Sequence, residues 1–123
     1  MNDHQLLDVC EQLIAVIKDL FPEHAEFNSW IDHSRYACIS RISWKLNNDE
    51  NRPNKLSRII LVIIPCESIE DSDYKNRKQI VQERFKSFIQ KKYVKFNPDH
   101  DVSRYKPPPT EEWLIDNDGC LNR

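Results

Sequence analysis

Apolar residues near the N-terminus recur at Leu6, Val9 and Cys10, Leu13, Val16 and Ile17, and Leu20. Steps of three and four residues put them on one face of an α-helix. Asn2 and Gln5 stand three apart, as the partners of a capping box do, and Pro22 marks the stop. The period then changes to two. Phe27, Ser29 and Ile31 alternate with Asn28 and Trp30, and Asp32-His33-Ser34 reads as a turn. Beyond it, Tyr36, Cys38, Ser40, Ile42, Trp44 and Leu46 share one side of a strand. Arg35, Ala37, Ile39, Arg41, Ser43 and Lys45 share the other, the mark of a half-buried strand with a wet side. Residues 47–55 are a polar loop rich in turn formers. Residues 56–64 give a continuous, largely β-branched apolar run stopped by Pro65, which predicts a strand in the middle of the sheet, covered on both faces.

The acidic stretch "CESIEDSD" reads as a connector offering helix caps. A second long helix is expected over residues 74–96, with Tyr74, Val81, Phe85, Phe88 and Ile89 on its apolar stripe. Lys91 and Lys92 near its end interact favourably with the helix dipole. Asn97-Pro98 ends it. Strands clustered between helices predict an α+β domain in α-β-β-β-α order, a three-stranded antiparallel meander packed against two helices. The domain spans residues 1–96, and residues 97–123 form an extended, proline-rich C-terminal tail packing on the domain or on a partner.

Length and composition narrow the function classes. One domain is expected from 123 residues. Gly119 is the sole glycine, which excludes the glycine-rich loops that let backbone approach the phosphates of nucleotides. No C-x-x-C pair links Cys10, Cys38, Cys66 and Cys120, so zinc-ribbon and thioredoxin-type motifs are missing, and Cys10 and Cys38 read as small core residues. No apolar run approaches the roughly 20 residues of a membrane span, and the N-terminus lacks the pattern of a secretory signal. A soluble, cytoplasmic protein without a cofactor or membrane partner is the expectation.

Charge is unevenly spread. Residues 1–34 hold seven acidic side chains against Lys18 alone, while residues 75–95 hold Lys75, Arg77, Lys78, Arg84, Lys86, Lys91, Lys92 and Lys95 against Glu83. A basic helix after three strands is how double-stranded-RNA-binding domains meet phosphate. The glycine-containing hairpin and the lysine-lysine-x-alanine helix opening of those domains are missing here, so topology alone carries the likeness. A near-neutral chain also differs from the strongly basic nucleic-acid binders.

Three motifs invite chemistry. Asp99-His100-Asp101 could supply metal ligands, but neighbours in an extended chain point to opposite sides, and a turn with aspartates bonded to local amides accounts for it as well. Cys66 ends the central strand, yet Glu67 beside it opposes a thiolate. In "RYKPPPTEEW", Arg104 and Pro107 begin an R-x-x-P-x-x-P ligand that Thr110 breaks, leaving a stiff polyproline spacer that delivers Trp113 to a fixed place. The function expected is a non-enzymatic binding, adaptor or regulatory role. Its surfaces are Lys75, Lys78, Arg84, Lys91 and Lys92 for a protein partner or phosphate, and Arg104, Tyr105 and Trp113 as tail contacts. Nucleic-acid binding through the basic helix, and metal or enzyme chemistry at Asp99-His100-Asp101, are the alternatives. Apolar residues on both faces of the strands, Trp30 and Ile39 among them, raise homo-oligomerisation.

Overall fold

In a computed structural model, which describes residues 1–46, 55–99, 109–115 and 120–121, three helices and four strands form one α+β domain. Helix α1 (Asp3–Ile17) begins with the capping box: Asn2 Oδ1 accepts from the Gln5 N–H at 2.9 Å, and Gln5 Oε1 accepts from the Asn2 N–H at 3.0 Å. Its buried face is Leu6, Val9, Cys10, Leu13, Ile14 and Ile17. Full burial of one such aliphatic side chain is worth about 1.5–3 kcal/mol, so packing outweighs the cap, which fixes where the helix starts. A short 3-10 turn, Lys18–Leu20, leads out of α1.

Strands β1 (Glu26–Asp32), β2 (Ala37–Ser43) and β3 (Ile59–Pro65) form the expected antiparallel meander. Helix α2 (Cys66–Asp71) and helix α3 (Tyr74–Val94) follow, and then β4 (Thr110–Leu114) pairs with β3 in parallel. The sheet is thus four-stranded and mixed, in order β1-β2-β3-β4, where a three-stranded antiparallel sheet was expected. Parallel neighbours need a long crossover, and α2 with α3 supplies it. The stretch read as an acidic connector contains α2, and the stretch read as a tail contains β4.

Beyond Ser43 the β2–β3 ladder slips. Ile42 faces Ile60, but Lys45 bridges Leu56, so the β3 side carries one extra residue, a β-bulge at Ser57–Arg58. Ser57 Oγ accepts from the Trp44 N–H at 3.0 Å and donates to the Arg58 carbonyl at 2.9 Å. The freed Arg58 N–H bonds the Pro98 carbonyl at 2.9 Å, and the Ile59 N–H bonds Pro109 at 2.9 Å. The bulge therefore ties the exit of α3 and the entry of β4 to the same end of the sheet.

The main core lies on the helical side of the sheet. Cys38, Ile42, Ile60, Val62, Ile64, Trp113 and Ile115 point at α1, α2 and α3. An aromatic cluster closes one end: Phe21 meets Tyr93 at 4.8 Å and Trp44 at 5.9 Å, Trp44 meets Phe96 at 6.0 Å, and Phe96 meets Trp113 at 5.6 Å. Cys10 and Cys38 are fully buried, as their pattern implied. Ser40, buried beside them, bonds Ser29 Oγ at 2.7 Å. The β1–β2 turn is an Asx turn: Asp32 Oδ1 accepts from the Ser34 N–H and hydroxyl, which holds its carboxyl below the usual range. Tyr36, which the alternation put on the core face, is instead exposed at φ 46°.

Candidate interaction surface

The opposite face of the sheet carries the surface of interest. Pairing fixes its rows. Trp30 faces Ile39, Ile39 faces Ile63, and Ile63 faces Leu114, one apolar residue from each strand. The next row is Asn28, Arg41, Leu61 and Glu112. Residues two apart on a strand share a face, so Ala37 and Ile59 belong here as well. Ala37, Ile39 and Ile63, with Leu61 against them, form a small apolar cluster separate from the core. Among the described residues, no helix contributes to it.

Exposure along the central row is graded. Ile39 and Ile63 are buried, while Trp30 at the β1 edge is 37% exposed and Leu114 at the β4 edge 55%. One cover is visible. Arg35, in the β1–β2 turn, reaches Glu112 on β4 at 3.5 Å. A side chain running from the start of β2 to β4 has to pass over β3, which places its aliphatic stem near Ile63. Both partners are about half exposed, so the pair is a weak fastening.

The residues singled out from the sequence fall elsewhere. Lys75 is exposed in the first turn of α3, ahead of the non-helical Arg77. Lys78 lies over the Tyr74 ring at 5.9 Å and Lys92 over Phe88 at 5.6 Å, so aromatic faces draw both toward the packed side of the helix. Arg84 is half-buried, and Lys91 is exposed one heptad later on the same side. Lys86, outside that set, pairs with Asp19 at 2.9 Å, joining the basic helix to the acidic N-terminal region. Lys75, Lys78, Lys91 and Lys92 are all exposed, alongside the exposed Ile80, Glu83, Ser87, Gln90 and Val94, of which Glu83 alone is charged.

Trp113 is 1% exposed and part of the core. Arg104 and Tyr105 lie outside the described residues, as do His100 and Asp101. Asp99 pairs with Lys55, whose side chain is almost wholly buried, and its N–H bonds Asn97 Oδ1 at 3.0 Å. Among the described residues, no three His, Cys, Asp or Glu side chains converge as metal ligands. Cys66 is buried, and burial pushes its thiol above the ordinary value.

No protein-family model, no characterised protein and no solved structure matches this chain. No helix among the described residues is long and apolar enough to cross a membrane.

The outer face entered the sequence reading only through Trp30 and Ile39, as a reason to expect homo-oligomerisation, and the binding residues were placed elsewhere. Its signal was the second register of β2, where Ala37 and Ile39 interrupt an otherwise polar side, repeated in β3 by Ile59, Leu61 and Ile63. Two sides of β3 being apolar implied two covers, and the structure supplies a helical cover for one.

Proposed function

We propose that this protein is a binding module whose docking surface is the outer face of the sheet. The observation that carries this reading is the apolar row Trp30–Ile39–Ile63–Leu114, which runs across all four strands on the side away from the helices. Its two ends, Trp30 and Leu114, are exposed while Ile39 and Ile63 between them are buried, and a partly exposed tryptophan is the kind of residue that protein partners engage. Arg41, Glu112 and Arg35 border it with charges of both signs, which favours a protein partner over a polyanion such as nucleic acid.

Leu114→Lys and Trp30→Ala change this face at exposed rim positions, leaving the helical core alone. Lys91→Glu with Arg84→Glu changes the basic helix instead. With a tagged chain used to capture partners from its native cell, complexes should be lost with the sheet variants and kept with the helix variant. The reverse pattern, or capture that disappears on nuclease treatment, would transfer the function to the basic helix.

A further inference from the structure

We propose that the free edge of β1 receives an extended basic segment of another protein, which joins the sheet as a further strand antiparallel to β1. This edge is distinct from the outer face, and the proposal does not depend on that face. Backbone direction is the starting point. At the two ends of β2, Tyr36 and Trp44 turn their carbonyls toward β3 and accept from the Cys66 and Ser57 N–H groups at 2.9 and 2.7 Å. Alternation therefore points the even residues of β2 at β3 and the odd ones, Ala37 to Ser43, at β1. Their partners Glu26, Asn28, Trp30 and Asp32 bond back to β2. Phe27, Ser29 and Ile31 consequently turn their N–H and C=O groups away from the sheet. Among the described residues, no group bonds them there.

Edge strands are ordinarily blunted by lysine, proline or a bulge. β1 has none of these. Its pairing with β2 runs unbroken over seven residues, Glu26–Asp32, and neither lysine nor proline stands among them. The strand is also open: Glu26, Asn28 and Trp30 are exposed, and Phe27, Ser29 and Ile31 are half-buried. Beside the edge, α1 and β1 leave a groove of about 280 Å³ lined by Glu11, Ile14, Lys18, Phe27, Asn28 and Ser29. A strand added to β1 would direct alternate side chains into it, while its backbone takes up the free N–H and C=O groups.

Charge selects the occupant. Glu26 and Asp32 end the strand and Glu11 stands in the groove. Lys18, the one lysine or arginine among residues 1–34, is drawn over the Phe27 ring at 5.4 Å. A second copy does not fit. Pairing β1 with β1 so that all three free residues of each copy bond sets Glu26 opposite Asp32 at both ends, and like charges directly opposite destabilise a sheet. The other edge strand, β4, carries Glu111 and Glu112, so β1 against β4 of another copy again sets acid beside acid. Basic residues opposite Glu26 and Asp32, with apolar ones opposite Phe27, Ser29 and Ile31, replace that repulsion with attraction.

The probe is the end-blocked peptide Lys-Val-Thr-Val-Thr-Val-Lys, which reads alike in either direction. Amide exchange is followed by NMR on the full chain, with peptide up to about 5 mM. At about ten times the dissociation constant, exchange at Phe27, Ser29 and Ile31 should slow about tenfold. Asn28 and Trp30, already bonded to β2, should change little. The acidic counterpart, Glu-Val-Thr-Val-Thr-Val-Glu, should bind about tenfold more weakly. N-methylation of the three valines, whose N–H groups face β1, should abolish the effect. Glu26→Lys, at an exposed position, should reverse the preference between the two peptides. Leu114→Lys, on the far edge strand, should leave binding unchanged. No slowing at the three odd amides, or equal binding of the acidic or N-methylated peptide, would overturn the proposal. Loss of binding with Leu114→Lys would also overturn it, and would move the peptide to the outer face; its absence leaves that docking surface to its own test.

Discussion

Phe96, just past α3, stands edge-on to Trp113 of β4, with ring centroids 5.6 Å apart and ring planes at 90°. The contact joins two segments that the chain separates by the whole approach to β4, and it makes β4 a part of the core. Trp113→Ala should therefore cost about 3–5 kcal/mol in urea unfolding. Trp113 Nε1 is buried without a hydrogen-bond partner among the described residues, so Trp113→Phe removes that donor and should cost far less. Equal losses for the two would mean that the ring's packing is not what holds β4.

The hydroxyl of Tyr36 donates to Glu70 of α2, and this contact raises the phenol to about 12. The bond needs the protonated phenol. Its contribution to stability is therefore complete below the ordinary value of 10.0 and is lost as pH rises through about 12. Tyrosinate absorbance, taken as the difference between wild type and Tyr36→Phe, should show this late titration. Glu70→Ala should return it to the ordinary range. An unchanged titration would show that Glu70 does not control it.

Lys55 and Asp99 test a half-buried ion pair, with side chains 4% and 55% exposed. Removing the carboxylate leaves a buried ammonium without its counter-charge. Asp99→Asn is expected to destabilise by about 1–3 kcal/mol, less than a pair buried on both sides. Lys55→Met keeps the volume and removes the charge, so it should be close to neutral. Denaturant midpoints in the reverse order would contradict the assignment of Lys55 as the stranded partner.

Asn2→Ala removes one half of the capping box and should cost about 1 kcal/mol, with fraying confined to the first turn of α1. Amide exchange at Gln5 reports it directly, because its N–H bonds Asn2 Oδ1. Protection unchanged at that amide would show that tertiary packing alone fixes the start of the helix.

Local rules explain why α1, the three meander strands and α3 were legible. Leu6 to Ile17 repeats with helical period over several turns, and Ala37 to Ser43 alternates long enough to show a register. Helix α2 has six residues, too few for a period to emerge from "CESIED". β4 has Trp113 as its one apolar residue on the inward side, with Ile115 just past its end, and its partner β3 lies far off in sequence. Parallel pairing across a crossover leaves no mark in either strand alone. The full extent of the outer face was hidden for a related reason. Whether Ile39 and Ile63 sit under a helix depends on which side the helices take, and that is settled by the crossover, not by the strands.

The order of synthesis now matters. β3 is an interior strand in the finished sheet, yet its β4 side stays unpaired until Thr110–Leu114 leaves the ribosome. At about 5–20 residues per second, the intervening chain takes a few seconds to make. During that interval "IILVII" presents an open, apolar edge, the kind of template on which chains aggregate. The last strand is thus also the one that ends the nascent chain's most vulnerable period.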